Sequence, residues 1–248
     1  MPEPLVWSER IHRPLLWRLP SFWMTQMRTK PCRKRSIPLE MDRPVSASCS
    51  SVGLISGSEA RFSEDMNYRW WLTRRWGTAE RTLLFVGLNP SRADGSRDDA
   101  TLRRLVGFAQ HWGYDALVVI NLFARISPSP AALIRCADPV GRWGDSVLLR
   151  WCSRWAQSLD WDLWCGWGNG GCRLDRYQIV RSLLLPQLRL RADRLPHSPG
   201  PLMLGLTGSG QPRHPLYAPR ALRLVPFTWA APPVIRHPCG TSKHHRER

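Results

Sequence analysis

The chain has 248 residues, of which 43% are hydrophobic and 14 are Trp, so it can bury a sizeable core and is not a disordered protein as a whole. Its formal net charge of +17 suits a polyanionic partner such as DNA, RNA or a nucleotide, although charge alone identifies none of them. No window holds the roughly 18 apolar residues that a membrane span needs and no signal-peptide pattern opens the chain, so we expect a cytoplasmic protein without a membrane partner.

The seven cysteines predict neither a disulfide framework nor a metal or cofactor site. Their number is odd, and no two of them are spaced as Cys-x-x-Cys, the pattern typical of zinc and iron–sulfur sites. We therefore expect free, mostly buried thiols at Cys32, Cys49, Cys136, Cys152, Cys165, Cys172 and Cys239. The sequence leaves the oligomeric state open.

Both ends of the chain differ in composition from its middle. Residues 1–55 mix Pro, Arg and Ser with scattered Trp and show no sustained strand or helix periodicity, and residues 232–248 are polar and basic. We predict a disordered basic extension over 1–55, a single α/β domain over 56–231 and a disordered basic tail over 232–248. The first segment is either a native extension or the product of an upstream start codon chosen wrongly.

Strands and helices alternate in the first half of the predicted domain. The apolar run Thr82–Gly87 predicts a buried strand. A helix is expected from Asp98 or Asp99, which would cap it, to about His111. The run Ala116–Asn121 predicts a second strand.

The same alternation continues in the second half. Gly141–Gln157 has apolar residues at helical spacing, Asp162–Trp167 reads as a third strand, and Cys172–Leu185 as a helix that ends at Pro186. Pro201–Leu206 predicts a fourth strand. This order predicts an α/β fold, specifically a three-layer α/β/α sandwich with a mainly parallel, about four-stranded central sheet.

Polar residues and glycines follow the predicted strands where they end. The first strand runs into the loop that contains Asn89, the second ends in Asn121, and the third is followed by Gly168. After the fourth strand, His214 stands between two prolines in a stiff loop. Because open α/β sheets bind ligands at the carboxyl ends of their strands, we expect Asn89, Asn121 and His214 to line one cleft.

Five segments, in order, resemble a bacterial family known only as a domain of unknown function. They are an aromatic segment, an LNPSxAD loop followed by DDxT, a VVNLFA-type strand, a Trp-Gly strand end and a PRHPLY loop. In this chain they stand at Tyr68–Gly77, Leu88–Asp94 with Asp98–Thr101, Val118–Ala124, Trp167-Gly168 and Gly210–Tyr217. The resemblance covers about residues 56–231 and implies membership of that family without naming a reaction.

A more distant resemblance suggests a chemistry. A G-x-N-P loop, a strand-end Asn, a strand-end Trp-Gly and a His-Pro loop, in this order, resemble the layout of the uracil-DNA glycosylase superfamily. The resemblance implies a parallel-sheet sandwich that hydrolyses an N-glycosidic bond, with Asn89 orienting the attacking water, Asn121 reading the base and His214 stabilising charge on the leaving base. No aromatic residue closely follows the G-x-N-P loop to shield a base, so the substrate is unconstrained.

These residue types suit that chemistry. An Asn amide takes up no proton near neutral pH, but it accepts a hydrogen bond from water and presents a donor beside an acceptor to the edge of a base. A His supplies a hydrogen-bond donor to the departing base. Neighbouring loops would hold the substrate, with arginines at its phosphates. The predicted substrate-binding residues are Gly87, Pro90, Ser91, Asn121, Arg125, Gly168, Arg213 and Tyr217.

Structural roles explain several of these residues equally well. Asn89 before Pro90 suits an Asx-type turn, and Asn121 suits a side chain that ties down loop backbone. The acidic cluster Asp94, Asp98 and Asp99 would either bind Mg²⁺ or, as we favour, cap the helix that follows. Three function classes therefore stay open: a glycosylase-like enzyme, a non-catalytic nucleic-acid or nucleotide-binding module, and a metal-dependent nucleotide hydrolase.

Overall fold

The computed structural model of the chain describes residues 45–46, 57–78, 80–91 and 98–229. All of these residues lie within one compact unit of the chain, Ile37–Arg248. Apart from the two-residue strand Val45–Ser46, the predicted extension over 1–55 and the predicted tail over 232–248 lie outside the described residues. No helix in the described part of the chain is long and apolar enough to cross a bilayer.

The described residues form one eight-stranded sheet flanked by helices, so the α/β class is confirmed. Across the sheet the strands follow the order β1-β2-β3-β5-β4-β6-β7-β8. In chain order they are Val45–Ser46 (β1), Gly57–Phe62 (β2), Arg69–Arg75 (β3), Thr82–Gly87 (β4), Ala116–Asn121 (β5), Trp161–Cys165 (β6), Leu202–Met203 (β7) and Val225–Pro226 (β8).

The prediction of a mainly parallel, about four-stranded sheet is wrong. The four predicted strands are present as β4 to β7, and they pair in parallel with one another. Four further strands extend this group through antiparallel pairs, with β1, β2 and β3 beyond β5 and β8 beyond β7. Sequence patterning missed β2 and β3 because both contain partly exposed positions and arginines, unlike the continuous apolar runs of a central strand. In β2 only Ala60 is buried, and β3 mixes buried with partly exposed residues.

Four helices are described: Ala100–His111 (α1), Pro130–Ile134 (α2), Gly144–Gln157 (α3) and Arg176–Arg194 (α4). α1 begins and ends as predicted, because Asp99 caps its N-terminus and accepts a hydrogen bond from the backbone N–H of Leu102 at 2.6 Å. The short α2 was not predicted. Its N-cap is Ser129, whose hydroxyl accepts from the N–H of Ala132 at 3.2 Å.

The prediction that the last helix ends at Pro186 is wrong, since α4 continues around the proline to Arg194. Proline has no N–H to donate to the carbonyl of Ser182, one turn earlier. Both Pro186 and Ser182 are exposed, so this carbonyl lies on the solvent side of the helix, where the lost bond costs little. Beyond the proline, the buried Arg191 joins α4 to neighbouring segments of the same polypeptide.

The helices cover both faces of the sheet, so the core has two halves. On one face, Trp155 of α3 and Val180 of α4 pack with Leu84 and other strand residues. On the opposite face, Phe108 of α1 packs with Phe85. Successive residues of β4 therefore enter different halves, and the strand is buried along its whole length.

Four of the seven cysteines lie among the described residues, and all four are free thiols. Cys152 and Cys165 are buried, as expected, whereas Cys136 is partly exposed and Cys172 is exposed. Burial raises the pKa of the Cys152 thiol to about 12, so this cysteine stays protonated and behaves as a core side chain.

Candidate active site

A cleft opens at the sheet edge where the parallel strands β4 and β5 end. Their last residues, Gly87 and Asn121, lie opposite each other in register. Since β3 runs antiparallel to β5, its first residue, Arg69, reaches the same edge. The cavity has a volume of about 60 Å³, compared with the roughly 10–15 Å³ that one water molecule needs. Its walls are Arg69, Phe85, Gly87, Leu88, Asn89, Ser91, Asp99, Thr101, Leu102, Leu105, Val119, Asn121 and His214.

Half of the predicted site residues line this cleft. Among them are Asn89, Asn121 and His214, which are far apart in sequence and were expected to meet at one sheet edge. Gly87 and Ser91 are the other two. The remaining five lie outside the lining: Pro90, Arg125, Gly168, Arg213 and Tyr217.

Asn89 holds two loops together and also faces the cleft. Its Nδ2 donates to the backbone carbonyls of Pro90 at 2.9 Å and Ser127 at 3.0 Å. These two acceptors fix the amide orientation, because only the NH₂ end of the side chain can donate. The side chain therefore ties loop backbone through its NH₂ group and does not form the Asx-type turn, in which Oδ1 would accept a backbone N–H. Its Oδ1 accepts no hydrogen bond from any described residue, so this acceptor remains for a molecule in the cleft.

Asn121 brings a buried donor to the cleft. The residue is 8% exposed, and its Nδ2 has no hydrogen-bond partner among the described residues. It therefore does not tie down loop backbone through Nδ2, as one alternative proposed. Gly87 makes room for it, since a Cβ atom at that position would lie 2.9 Å from Asn121 Oδ1. An unsatisfied buried donor costs about 1–3 kcal/mol, which a ligand with a matching acceptor would recover.

His214 presents its Nε2–H as a donor. Its Nδ1 accepts the backbone N–H of Leu216 at 3.3 Å, so the neutral ring carries its proton on Nε2. Burial lowers the pKa of His214 below its ordinary 6.5, against an opposing effect of Asp99, and the neutral form therefore prevails at pH 7. Gly168, with a φ of +65°, lets its loop approach this histidine, since a Cβ there would lie 3.3 Å from His214 Cβ.

The depressed pKa of His214 predicts a pH dependence of stability. The unfolded chain binds a proton at His214 more readily than the folded protein, so this contribution to stability is full above pH 6.5 and is lost as the pH falls below it. We expect urea unfolding between about pH 7.5 and pH 5 to show a larger loss of stability for the wild type than for His214→Asn. Equal losses in the two proteins would contradict a half-buried, neutral His214.

A buried arginine that sequence reasoning did not place in the site lies in the wall of the cleft. Arg69 is 5% exposed, and burial lowers the pKa of its guanidinium to about 10, with Asp99 raising it, so Arg69 stays charged at neutral pH. Both carboxylate oxygens of Asp99 are occupied, one by the N–H of Leu102 and the other by the hydroxyl of Ser91. Asp99 therefore caps α1, holds the Ser91 hydroxyl and favours the charged form of Arg69.

The acidic cluster divides between protein partners. Asp98 forms an ion pair with the buried Arg74 at 2.8 Å, while Asp99 caps the helix. Asp94 lies outside the described residues. Across the part of the chain that the structure describes, no group of three or more His, Cys, Asp or Glu side chains could hold a metal ion.

The other predicted residues surround the cleft at varying exposure. Pro90 is buried, and its carbonyl accepts the N–H of Ser127 at 3.2 Å. The Arg125 guanidinium lies 5.3 Å from the centre of the Tyr68 ring. Arg213 is exposed, and Tyr217 is 90% exposed. None of these side chains reaches the cleft, although the loop that carries Arg213 and Tyr217 also carries His214.

Comparison with known proteins identifies a family and no activity. A family model described as "Protein of unknown function (DUF1643)" matches residues 69–216. The match begins at Arg69 and extends two residues beyond His214, so it contains every residue of the cleft wall. No curated protein and no solved structure matches the chain.

Proposed function

The chain belongs to the DUF1643 family of proteins of unknown function, and we propose from its site that it is a nucleobase-recognising, glycosylase-like enzyme that hydrolyses an N-glycosidic bond in nucleic acid or a nucleoside. One observation carries this proposal. Three neutral polar groups from distant parts of the sequence line one cleft, and one of them, Asn121, has a buried donor without a partner among the described residues. The more specific likeness to the uracil-DNA glycosylase superfamily stays a prediction.

Asn121 suits recognition of a base. The carbonyl oxygen of a pyrimidine or purine ring would accept the hydrogen bond that its Nδ2 lacks. An aromatic wall lies nearby, because Phe85, two residues before Gly87, also lines the cleft. The sequence pattern had suggested that no ring shields the base, since it considered only residues after the G-x-N-P loop. We propose that Phe85, a strand residue before that loop, provides this ring.

Asn89 suits placement of the attacking water. Its NH₂ group is bound to two backbone carbonyls, which holds the side chain in one orientation and leaves Oδ1 without a donor among the described residues, in a residue that lines the cleft. An amide oxygen does not take a proton from water near pH 7, but it accepts a hydrogen bond and fixes the water's position. Asn89 is therefore proposed to position the water and not to act as a general base.

His214 suits stabilisation of the departing base. In the proposed reaction the water oxygen bonds to C1′ of the sugar, the C1′–N bond breaks, and its electron pair leaves with the base. The neutral His214 donates a hydrogen bond from Nε2 to the oxygen of this anionic base, as a fixed donor in an oxyanion hole does. The proton released by the water goes to solvent, and the base takes one up after it leaves.

The test is base release by the purified full-length protein. Oligonucleotides that carry uracil, hypoxanthine or an alkylated base, together with the free nucleosides, are incubated with and without EDTA, and the free base is measured by chromatography. We expect release that EDTA leaves unchanged and that a preparation of His214→Asn lacks. Tight binding without release would instead favour the non-catalytic binding module. Phosphate release abolished by EDTA would favour the metal-dependent hydrolase, and either outcome would overturn the proposal.

A further inference from the structure

We propose that residues 213–223, here called the arginine loop, form a binding surface for a nucleic-acid strand beside the cleft. In this surface Tyr217 stacks on a base and three arginines contact phosphates. These arginines are Arg213, Arg220 and Arg223. The surface would make a polynucleotide, and not a free nucleoside, the preferred ligand.

Tyr217 is presented to solvent by a rigid turn. It is 90% exposed, more than any other large hydrophobic side chain among the described residues. The turn Pro215–Tyr217 is a single turn of 3₁₀ helix whose N-cap is His214, and the N–H of Ala218 donates back to the carbonyl of Pro215 at 3.0 Å. The Ala218 carbonyl in turn accepts from Arg104 of α1. An aromatic ring presented to water on an anchored turn suits stacking on an unpaired base.

The positive charge of the arginine loop has no local compensation. Arg213, Arg220 and Arg223 are all exposed, and none of them forms an ion pair with a described residue. The sequence contains no Asp or Glu at all over residues 194–246. Exposed arginines without acidic neighbours attract phosphates and gain free energy by releasing the counterions of a nucleic acid.

The arginine loop is continuous with the cleft. His214 lines the cleft, and Tyr217 follows it by three residues, so their Cα atoms are at most about 11 Å apart. A strand held by Tyr217 and the arginines would therefore pass the mouth of the cleft. That the strand is also a substrate rests on the proposed function, whereas the binding surface itself does not.

Binding is measured by the fluorescence anisotropy of labelled, unmodified DNA and RNA strands, single and duplex, with the full-length protein over a range of salt concentrations. One variant replaces Arg213, Arg220 and Arg223 with Gln. A control variant replaces Arg135, Arg189 and Arg194, which are exposed elsewhere, and so removes the same charge. We expect the loop variant to bind at least about tenfold more weakly and its salt slope to fall by roughly two to three, with a much smaller change in the control.

Tyr217 is tested separately because stacking does not depend on charge. We expect Tyr217→Ser to weaken binding to a single strand by roughly tenfold and Tyr217→Phe to keep most of the affinity. The proposal would be overturned if the two arginine variants weakened binding equally or if Tyr217→Ser bound a single strand with wild-type affinity. It would also be overturned if the protein bound no strand at all. The DNA and RNA arms show which sugar is preferred.

The two proposals can fail independently. Loop-dependent strand binding without base release would leave the surface intact and remove the proposed reaction. Base release from nucleosides without loop-dependent strand binding would support the proposed reaction and remove the binding surface.

Discussion

Replacing His214 with Asn is expected to slow base release by about 100- to 1000-fold, the usual effect of removing one donor from an oxyanion hole. Asn is a good N-cap residue, so its side chain can still accept the N–H of Leu216 and preserve the turn. It is too short to provide the donor that Nε2 now supplies to the base. The measurements are kcat on the modified oligonucleotide that serves as substrate and the free energy of unfolding in urea.

His214→Gln is the matched substitution, because it should keep the donor that His214→Asn removes and lose the cap that His214→Asn keeps. In His214→Gln the terminal NH₂ reaches the region of Nε2 and keeps a donor in the cleft, while the cap on Leu216 is lost. We therefore expect the Gln variant to be less stable than the Asn variant but more active. The exposed His197 provides the control, and His197→Ala should change neither property. Wild-type kcat in His214→Asn would rule out His214 as the donor.

The centre of the fold could be predicted because its signals are local. β4 and β5 have the predicted bounds, since each is a short apolar run buried on both faces. α1 was predicted from Asp99 at its start and from Gly113, which follows the helix with a φ of +78°. β7 is shorter than predicted because only Leu202 and Met203 of the predicted run pair with neighbouring strands.

The antiparallel strands could not be predicted, and the buried Arg69 was missed with them. β3 pairs with β5, which lies more than forty residues later in the chain, and nothing local in the sequence signals that pairing. Once β3 is known to run antiparallel to β5, Arg69 at its start must lie at the edge where β5 ends. The enrichment of Trp in this segment, at Trp70 and Trp71, was the available signal, because aromatic residues favour strands.

The candidate site was predictable only where topology decides it. Asn89 follows β4 and Asn121 ends the adjacent parallel strand β5, so their meeting follows from the strand order alone. The sequence order of motifs does not determine which way a loop side chain faces. This is why His214 lines the cleft while Tyr217, three residues later, lies almost wholly in solvent.

Arg191 shows how a surface-like pattern can hide a core residue. It lies between Arg189 and Arg194 near the end of α4, where arginines usually face water and favour the helix terminus. In the structure it is 1% exposed, and its guanidinium lies 5.1 Å from the centre of the Trp155 ring. It donates to four backbone carbonyls outside its helix, at 2.5 to 3.2 Å, namely those of Trp155, Ser158, Trp161 and Pro199.

Replacing Arg191 with Met is therefore expected to lower the free energy of unfolding by about 4 kcal/mol or more. Met keeps much of the apolar stem but donates nothing, so four carbonyls that Arg191 now satisfies lose their donor, each at a cost of about 1–3 kcal/mol where water cannot replace it. Arg189→Met, on the exposed side of the same helix, should change stability by less than about 0.5 kcal/mol. Urea unfolding of both variants gives the comparison. A loss below about 1 kcal/mol for Arg191→Met would mean that water takes over these carbonyls, and that the end of α4 is held to β6 by apolar packing alone.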